Sequence, residues 1–323
     1  MIFDSPRLPR FQFCLWTTLA GVTLFAILCG VVTWTIRDRQ RLIHERDEAI
    51  EPPLKVLFIG NSYTYVNDLP SLIVSLADAG GRKMEVGQHL IGGGTLEQHV
   101  RDKQAIEKIR ERNWDIVVLQ EHSLQPILNR DSMAKYAGIL NEEIKKHGAR
   151  TVFYLTWARQ DIPQMQEGAS ISTSPDYPRA IYKASGLDGK IDFEQWRQQH
   201  ESGLAGGLNG AYFDIAKQLN ADVAPVGMAW RTALAKNPAL VLYQADKSHP
   251  ATKGSYLAAC VLYASLLDKS PVGLPGELKM DGKVLVRIAP DEGKMLQEIA
   301  WQTVQEAKQR QGEERKTTRA SGR

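Results

Sequence analysis

KVLFIGNSYTYVNDL, residues Lys55 to Leu69, contains an abrupt change of character. A β-branched and aromatic run, Val56 to Ile59, stops at Gly60-Asn61-Ser62, and a polar loop follows. A short run of this kind closed by glycine predicts a buried strand with a sharp exit. A serine at that exit falls at the carboxyl edge of a parallel sheet, where open α/β folds bind their ligands. Ser62 is therefore the candidate nucleophile.

Downstream, Asp68-Leu69-Pro70 supplies a helix start, with proline in the first turn, and an apolar-periodic stretch runs to Ala79 before Gly80-Gly81. Strands are predicted at 84–90, 115–120 and 150–157, separated by helices at 96–112 and 131–147. Alternation of this kind implies a parallel sheet with helices on both faces. Residues 161–205 mix Pro, Ser, Gly and aromatic residues around one short helical stretch, and are expected to form an irregular insert that shapes substrate access. Beyond it the pattern predicts a helix at 211–219, a strand at 222–226, helices at 228–235 and 251–267, a short strand or hairpin within 278–289, and a helix at 291–308. The polar tail, 309–323, is expected to be disordered.

A second informative stretch, Asp246-Lys247-Ser248-His249-Pro250, precedes the apolar 251–267 helix. A serine hydroxyl is a poor nucleophile until a neighbouring base takes its proton. His249 supplies such a base, and a carboxylate three residues before it on a tight turn can fix the ring's tautomer and orientation. Ser62, His249 and Asp246 thus complete a candidate triad.

These two blocks, Gly60-Asn61-Ser62 and the D-x-x-H of Asp246 and His249, resemble those of the SGNH, or GDSL-like, hydrolases, with Asn61 where many members have Asp. The resemblance implies a three-layer α/β/α domain over 54–308, with a mostly parallel, about five-stranded flavodoxin-like sheet. It also implies an oxyanion hole. The backbone N–H of Ser62 and that of Gly93, within Gly92-Gly93-Gly94-Thr95, correspond to the family's first two donors. The usual third block, Gly-x-Asn-Asp, is replaced by Gln120-Glu121-His122-Ser123, which puts His122 at the position of the oxyanion asparagine; Gln120 is the alternative donor. This block is closer to a subgroup with Leu-Gln-Glu-x-Ser. YLTWARQD (154–161), VAPVGMAW (223–230) and SYLAACVLYASLL (255–267) are similar to the same subgroup, so the likeness spans about 54–275. Trp157 and Trp230 could line a sugar or acyl pocket, but core packing is the expected role of each.

The implied activity is cofactor- and metal-free hydrolysis of a carboxylic ester, an O-acetyl group on a cell-envelope glycan or another short acyl ester. A catalytically silent glycan-binding or assembly protein with the same fold is the alternative. Metal-dependent hydrolysis through Glu121, His122, Asp246 and His249 finds no strong ligand spacing such as H-E-x-x-H. The charge balance, 40 basic against 37 acidic residues, gives no field for a nucleic-acid partner, and oligomeric state is not legible. Cys260 is the single cysteine outside the apolar N-terminus, so no intramolecular disulfide or zinc-type cysteine pair exists in the domain.

Between the flank 1–10 and a charged linker 37–53 closed by Pro52-Pro53, residues 11–36 carry no charge. That exceeds the roughly 20 residues a spanning helix needs, so a single-pass transmembrane anchor is expected. No small-x-small cleavage site follows, and Leu28 before Cys29 fits a lipoprotein box poorly. Arg7 and Arg10 against Arg37, Arg39 and Arg41 slightly favour a cytoplasmic C-terminus. The resemblance implies the reverse, and an extracytoplasmic domain is the expectation adopted.

Overall fold

A computed structural model describes residues 51–168 and 176–321 together with Arg39, with side chains as far as Glu313. The expected anchor, 11–36, lies outside the described residues; among those described, no helix is long and apolar enough to cross a membrane. The chain divides into two compact units at Pro52 and Pro53, and the second, Pro53–Arg323, holds the sheet.

Five strands, β1 (Leu54–Gly60), β2 (Met84–Leu90), β3 (Ile116–Leu119), β4 (Arg150–Tyr154) and β5 (Asp222–Ala224), form one sheet in the order β2-β1-β3-β4-β5. Every neighbouring pair is parallel. In β1, Val56 and Phe58 enter one core while Leu57 and Ile59 enter the other. A strand covered on both faces needs a continuous apolar run rather than an alternating one. Burying each such side chain contributes about 1.5–3 kcal/mol. Helices Leu69–Ala79, Val226–Lys236, Thr252–Leu267 and Pro290–Ser321 contribute to the first core. Helices Gln104–Glu111, Arg130–Lys146 and Glu201–Leu219 contribute to the second. The order reverses direction between β1 and β3, a topological switch point at the sheet's carboxyl edge.

Several boundaries differ from the sequence expectation. The 96–112 helix is two helices, Leu96–Arg101 and Gln104–Glu111, broken where Lys103 takes φ 62°. The insert at 161–205 is largely helical among its described residues, with Asp176–Ala184, Phe193–Gln199 and the start of Glu201–Leu219. Its glycines discourage a helix reading, yet one of them is required by packing: a Cβ on Gly203 would lie 2.0 Å from the Ile127 carbonyl oxygen. Residues 278–289 resolve as a hairpin, β6 (Glu277–Met280) and β7 (Lys283–Arg287). Its Asp281-Gly282 loop has φ 49° and 79°, as a primed two-residue turn requires. The last helix continues past 308 to Ser321, through the stretch expected to be disordered. That stretch is rich in Gln, Glu, Lys and Arg, good helix formers despite their polarity.

Candidate active site

Gly60 ends β1, and Asn61 turns the chain into a four-residue helix, Ser62–Tyr65. The Asn61 side chain caps that helix by accepting from the Tyr63 N–H at 3.1 Å, and its amide donates to the Gly94 carbonyl at 2.9 Å. Gln120, just beyond β3, braces the same turn. Its Oε1 accepts from the Asn61 N–H (2.9 Å) and the Thr64 hydroxyl (3.0 Å), and its amide donates to the Glu121 carbonyl (2.7 Å). The approach is so close that a Cβ on Gly60 would stand 2.6 Å from Gln120 Oε1.

The turn delivers Ser62 Oγ to 2.8 Å from His249 Nε2, and His249 Nδ1 lies 2.5 Å from Asp246 Oδ2. The other Asp246 oxygen accepts the backbone N–H groups of Ser248 and His249, both at 2.9 Å. Partial burial works against the Asp246 carboxylate, but hydrogen bonds from the His249 ring and these two N–H groups outweigh it and hold its pKa down to about 2. An ionised Asp246 at Nδ1 requires the proton there and leaves Nε2 as an acceptor toward Ser62. The loop is pinned from outside: Lys247 accepts from the Gln160 N–H, and the Gln244 N–H donates to the His249 carbonyl, both at 2.9 Å.

Behind this line stands an aromatic stack. Tyr63 lies parallel to Trp157 with centroids 4.5 Å apart, and Trp157 stacks on Trp230 at 4.0 Å. The Tyr63 hydroxyl meets Ser248 Oγ at 2.6 Å, and Trp157 Nε1 donates to the Ser248 carbonyl at 2.9 Å. Both tryptophans are fully buried, so their part is to hold the Ser62 turn against the His249 loop.

A cleft of about 380 Å³ is lined by Ser62 and His249 together with Gly93, His122, Arg159 and Ala184. Gly93 sits in a turn closed by the Gly94 N–H on the Ile91 carbonyl, with φ 65°, a conformation that favours glycine. His122 Nδ1 accepts from the Leu124 N–H at 3.3 Å, so the neutral ring carries its proton on Nε2. Burial, and then Arg159 nearby, push the His122 pKa down and favour that neutral ring. Gln120 is buried, its amide oxygen and nitrogen are both hydrogen-bonded, and it does not line the cleft; it braces the turn instead.

Solved structures share this architecture. A DUF4886 family protein from Bacteroides uniformis is 18% identical over 78% of this chain and 95% of that one, with a TM-score of 0.54. The chain shares that protein's fold. A candidate SGNH hydrolase from Slackia heliotrinireducens is 25% identical over 67% of this chain and all of that one (TM-score 0.47). A lipase/acylhydrolase from Enterococcus faecalis is 15% identical over 66% and 94% (TM-score 0.43). No family model and no curated protein matches the sequence.

On this scaffold the structure brings together Ser62, His249, Asp246, Gly93 and His122, and sets Gln120 apart. Sequence reasoning missed Arg159, Tyr63 and Ser248 as parts of the site. The first lies within the quoted YLTWARQD stretch and the other two adjoin triad residues, but no spacing rule singles them out. Glu121 and His122 do not converge with Asp246 and His249 as metal ligands; among the described residues, the one close group of three such side chains is His89, His99 and Asp102.

Proposed function

We propose that the protein is a serine hydrolase that cleaves short carboxylic esters, O-acetyl groups on carbohydrate being the favoured class. The observation that carries this reading is the hydrogen-bonded line Ser62 Oγ, His249 and Asp246, with links of 2.8 and 2.5 Å, opening into a cleft at the sheet's carboxyl edge. Ser62 Oγ attacks the ester carbonyl carbon as His249 Nε2 takes its proton. The tetrahedral oxyanion receives the backbone N–H groups of Ser62 and Gly93 and the His122 Nε2–H. Collapse breaks the carbonyl–alkoxy bond, and the departing alkoxide takes the proton from His249. Water, deprotonated by His249, then releases the carboxylic acid and regenerates Ser62. Asp246 remains ionised throughout and stabilises the imidazolium.

The cleft is near the lower end of the roughly 300–1,000 Å³ typical of small-molecule sites, which suits a short acyl group. Arg159 and His122 give it polar walls suited to a hydroxyl-rich or anionic alcohol portion. The Gln120-Glu121-His122-Ser123 block supports placement in the Leu-Gln-Glu-x-Ser subgroup. Hydrolysis of p-nitrophenyl acetate by the full chain, beside Ser62→Ala and His249→Ala, tests the reading. Loss of turnover in both variants is expected; equal activity in all three would sink the mechanism.

We further propose that residues 11–36 anchor the chain in a membrane, supported by the uncharged run, with the domain extracytoplasmic, which rests on the resemblance to anchored hydrolases alone. Protease digestion of intact cells should then remove the domain, and full protection in intact cells with digestion after lysis would reverse the orientation.

A further inference from the structure

Beside the Ser62 turn lies a second cluster that the proposed hydrolysis does not use. His89 is near the end of β2, paired in register with Ile59 of β1. His99 and Asp102 are three residues apart, on one face at the end of the Leu96–Arg101 helix. The strand and the helix thereby converge His89, His99 and Asp102 so that one ligand atom from each lies within 4.8 Å of the others.

The hydrogen bonds around His99 and Asp102 leave a His99 lone pair facing inward. His99 is fully buried, and its Nε2 donates to the Gly60 carbonyl at 2.9 Å. That bond puts the ring's proton on Nε2 and leaves Nδ1 as a bare acceptor, yet Nδ1 is buried without a hydrogen-bond partner. His89 Nε2 is likewise buried without a hydrogen bond, and faces Asp102 Oδ2 at 3.4 Å. The other Asp102 oxygen is held by the Gln104 N–H at 3.0 Å, which orients the carboxylate. An ordinary buried histidine satisfies both nitrogens, because leaving one unmade costs about 1–3 kcal/mol. Here two rings each leave a buried nitrogen without a hydrogen bond at the same point, and a backbone carbonyl fixes the tautomer of one, as it does in metal-ligating histidines.

We propose that His89 Nε2, His99 Nδ1 and an Asp102 carboxylate oxygen form a binding site for a zinc-type divalent transition metal. Two imidazoles and one carboxylate are a borderline-soft set that suits zinc and disfavours magnesium or calcium. Zinc–ligand bonds of about 2.0–2.2 Å put tetrahedral ligand atoms about 3.3 Å apart, so small side-chain rotations contract the cluster onto the ion. Asp102 is exposed and His89 half-buried, which gives the ion a way in and leaves a position for water. The site ties β2 to the Leu96–Arg101 helix and, through His99, to the carbonyl of Gly60, two residues before Ser62. It is independent of the ester chemistry, since none of its ligands lines the cleft.

The test titrates the metal-free full chain with Zn²⁺ and with Co²⁺. Saturation at one equivalent, an intense visible band of low-coordinate Co²⁺, and a rise in melting temperature with Zn²⁺ are expected. His89→Gln and Asp102→Asn, at half-buried and exposed positions, should melt like the wild type without metal but bind Zn²⁺ about 100-fold more weakly. Absence of saturable binding by the wild type would overturn the proposal. So would equal affinity in the wild type and both variants, because the ion would then sit elsewhere.

Discussion

Two histidines reach the turn Gly60-Asn61-Ser62, and they are wired in opposite ways. His249 is partly exposed and has both ring nitrogens engaged, one on Ser62 Oγ and one on Asp246. His99 is wholly buried and has one nitrogen on the Gly60 carbonyl and one with no partner. The first arrangement suits a proton that must move along a line and return. The second locks a lone pair in a fixed direction, which proton transfer does not need and metal ligation does. Adjacency to the nucleophile therefore does not by itself assign a histidine to the reaction; the partners of its second nitrogen do.

The largest break in this comparison comes from separating activity and stability. Asp246→Asn should lower kcat by about 10⁴-fold, because the amide no longer enforces the base-competent tautomer, while the melting temperature barely changes. His99→Ala should do the reverse, costing about 2–4 kcal/mol through a buried cavity and an unsatisfied Gly60 carbonyl. Steady-state kinetics and urea unfolding on both variants give the four values. Matching losses of activity and stability in the two variants would erase the distinction.

His122 sharpens the comparison, as a third ring, whose Nδ1 is occupied and which lines the cleft. His122→Ala should lower kcat about 10²–10³-fold with little change in KM, the size expected for one lost oxyanion donor. A change confined to KM would make it a binding residue instead.

The smallest effect concerns Glu121, which joins the two regions. Its carboxylate accepts the N–H of His122 at 2.6 Å and that of Leu96, at the head of the helix bearing His99, at 3.2 Å. Burial raises its pKa from the ordinary 4.5 to about 7 in spite of these bonds. The folded chain thus keeps a proton that the unfolded chain has released, and stability falls as pH rises from about 4.5 to 7, then levels off. The loss amounts to at most about 3 kcal/mol. Glu121→Gln, which retains the accepting oxygen, should unfold at higher urea than the wild type at pH 8 and at the same urea at pH 4. A wild-type advantage at pH 8 would contradict this account.

The sequence made the fold legible where one segment carries its own signal. Val56 to Ile59 is apolar throughout because both faces of β1 are covered, and Asp246 and His249 are close enough in sequence to reveal their pairing. What depends on three-dimensional register was not legible. His89 meets His99 only because β2 lies beside β1 with Ile59 opposite His89. His122 and Gln120 follow the same strand, and only the braces on the Asn61 N–H and Thr64 hydroxyl reveal which amide is already committed. The helical character of the insert was hidden by glycines such as Gly203, whose reason for being there is the backbone of Ile127.

The central claim is that Ser62 is an activated nucleophile, and covalent capture tests it most directly. Intact-mass measurement after treatment with a fluorophosphonate should show one adduct per chain, with peptide mapping placing it on Ser62 and no adduct on Ser62→Ala. Labelling that persists in Ser62→Ala, or a wild type that takes no label, would contradict the account.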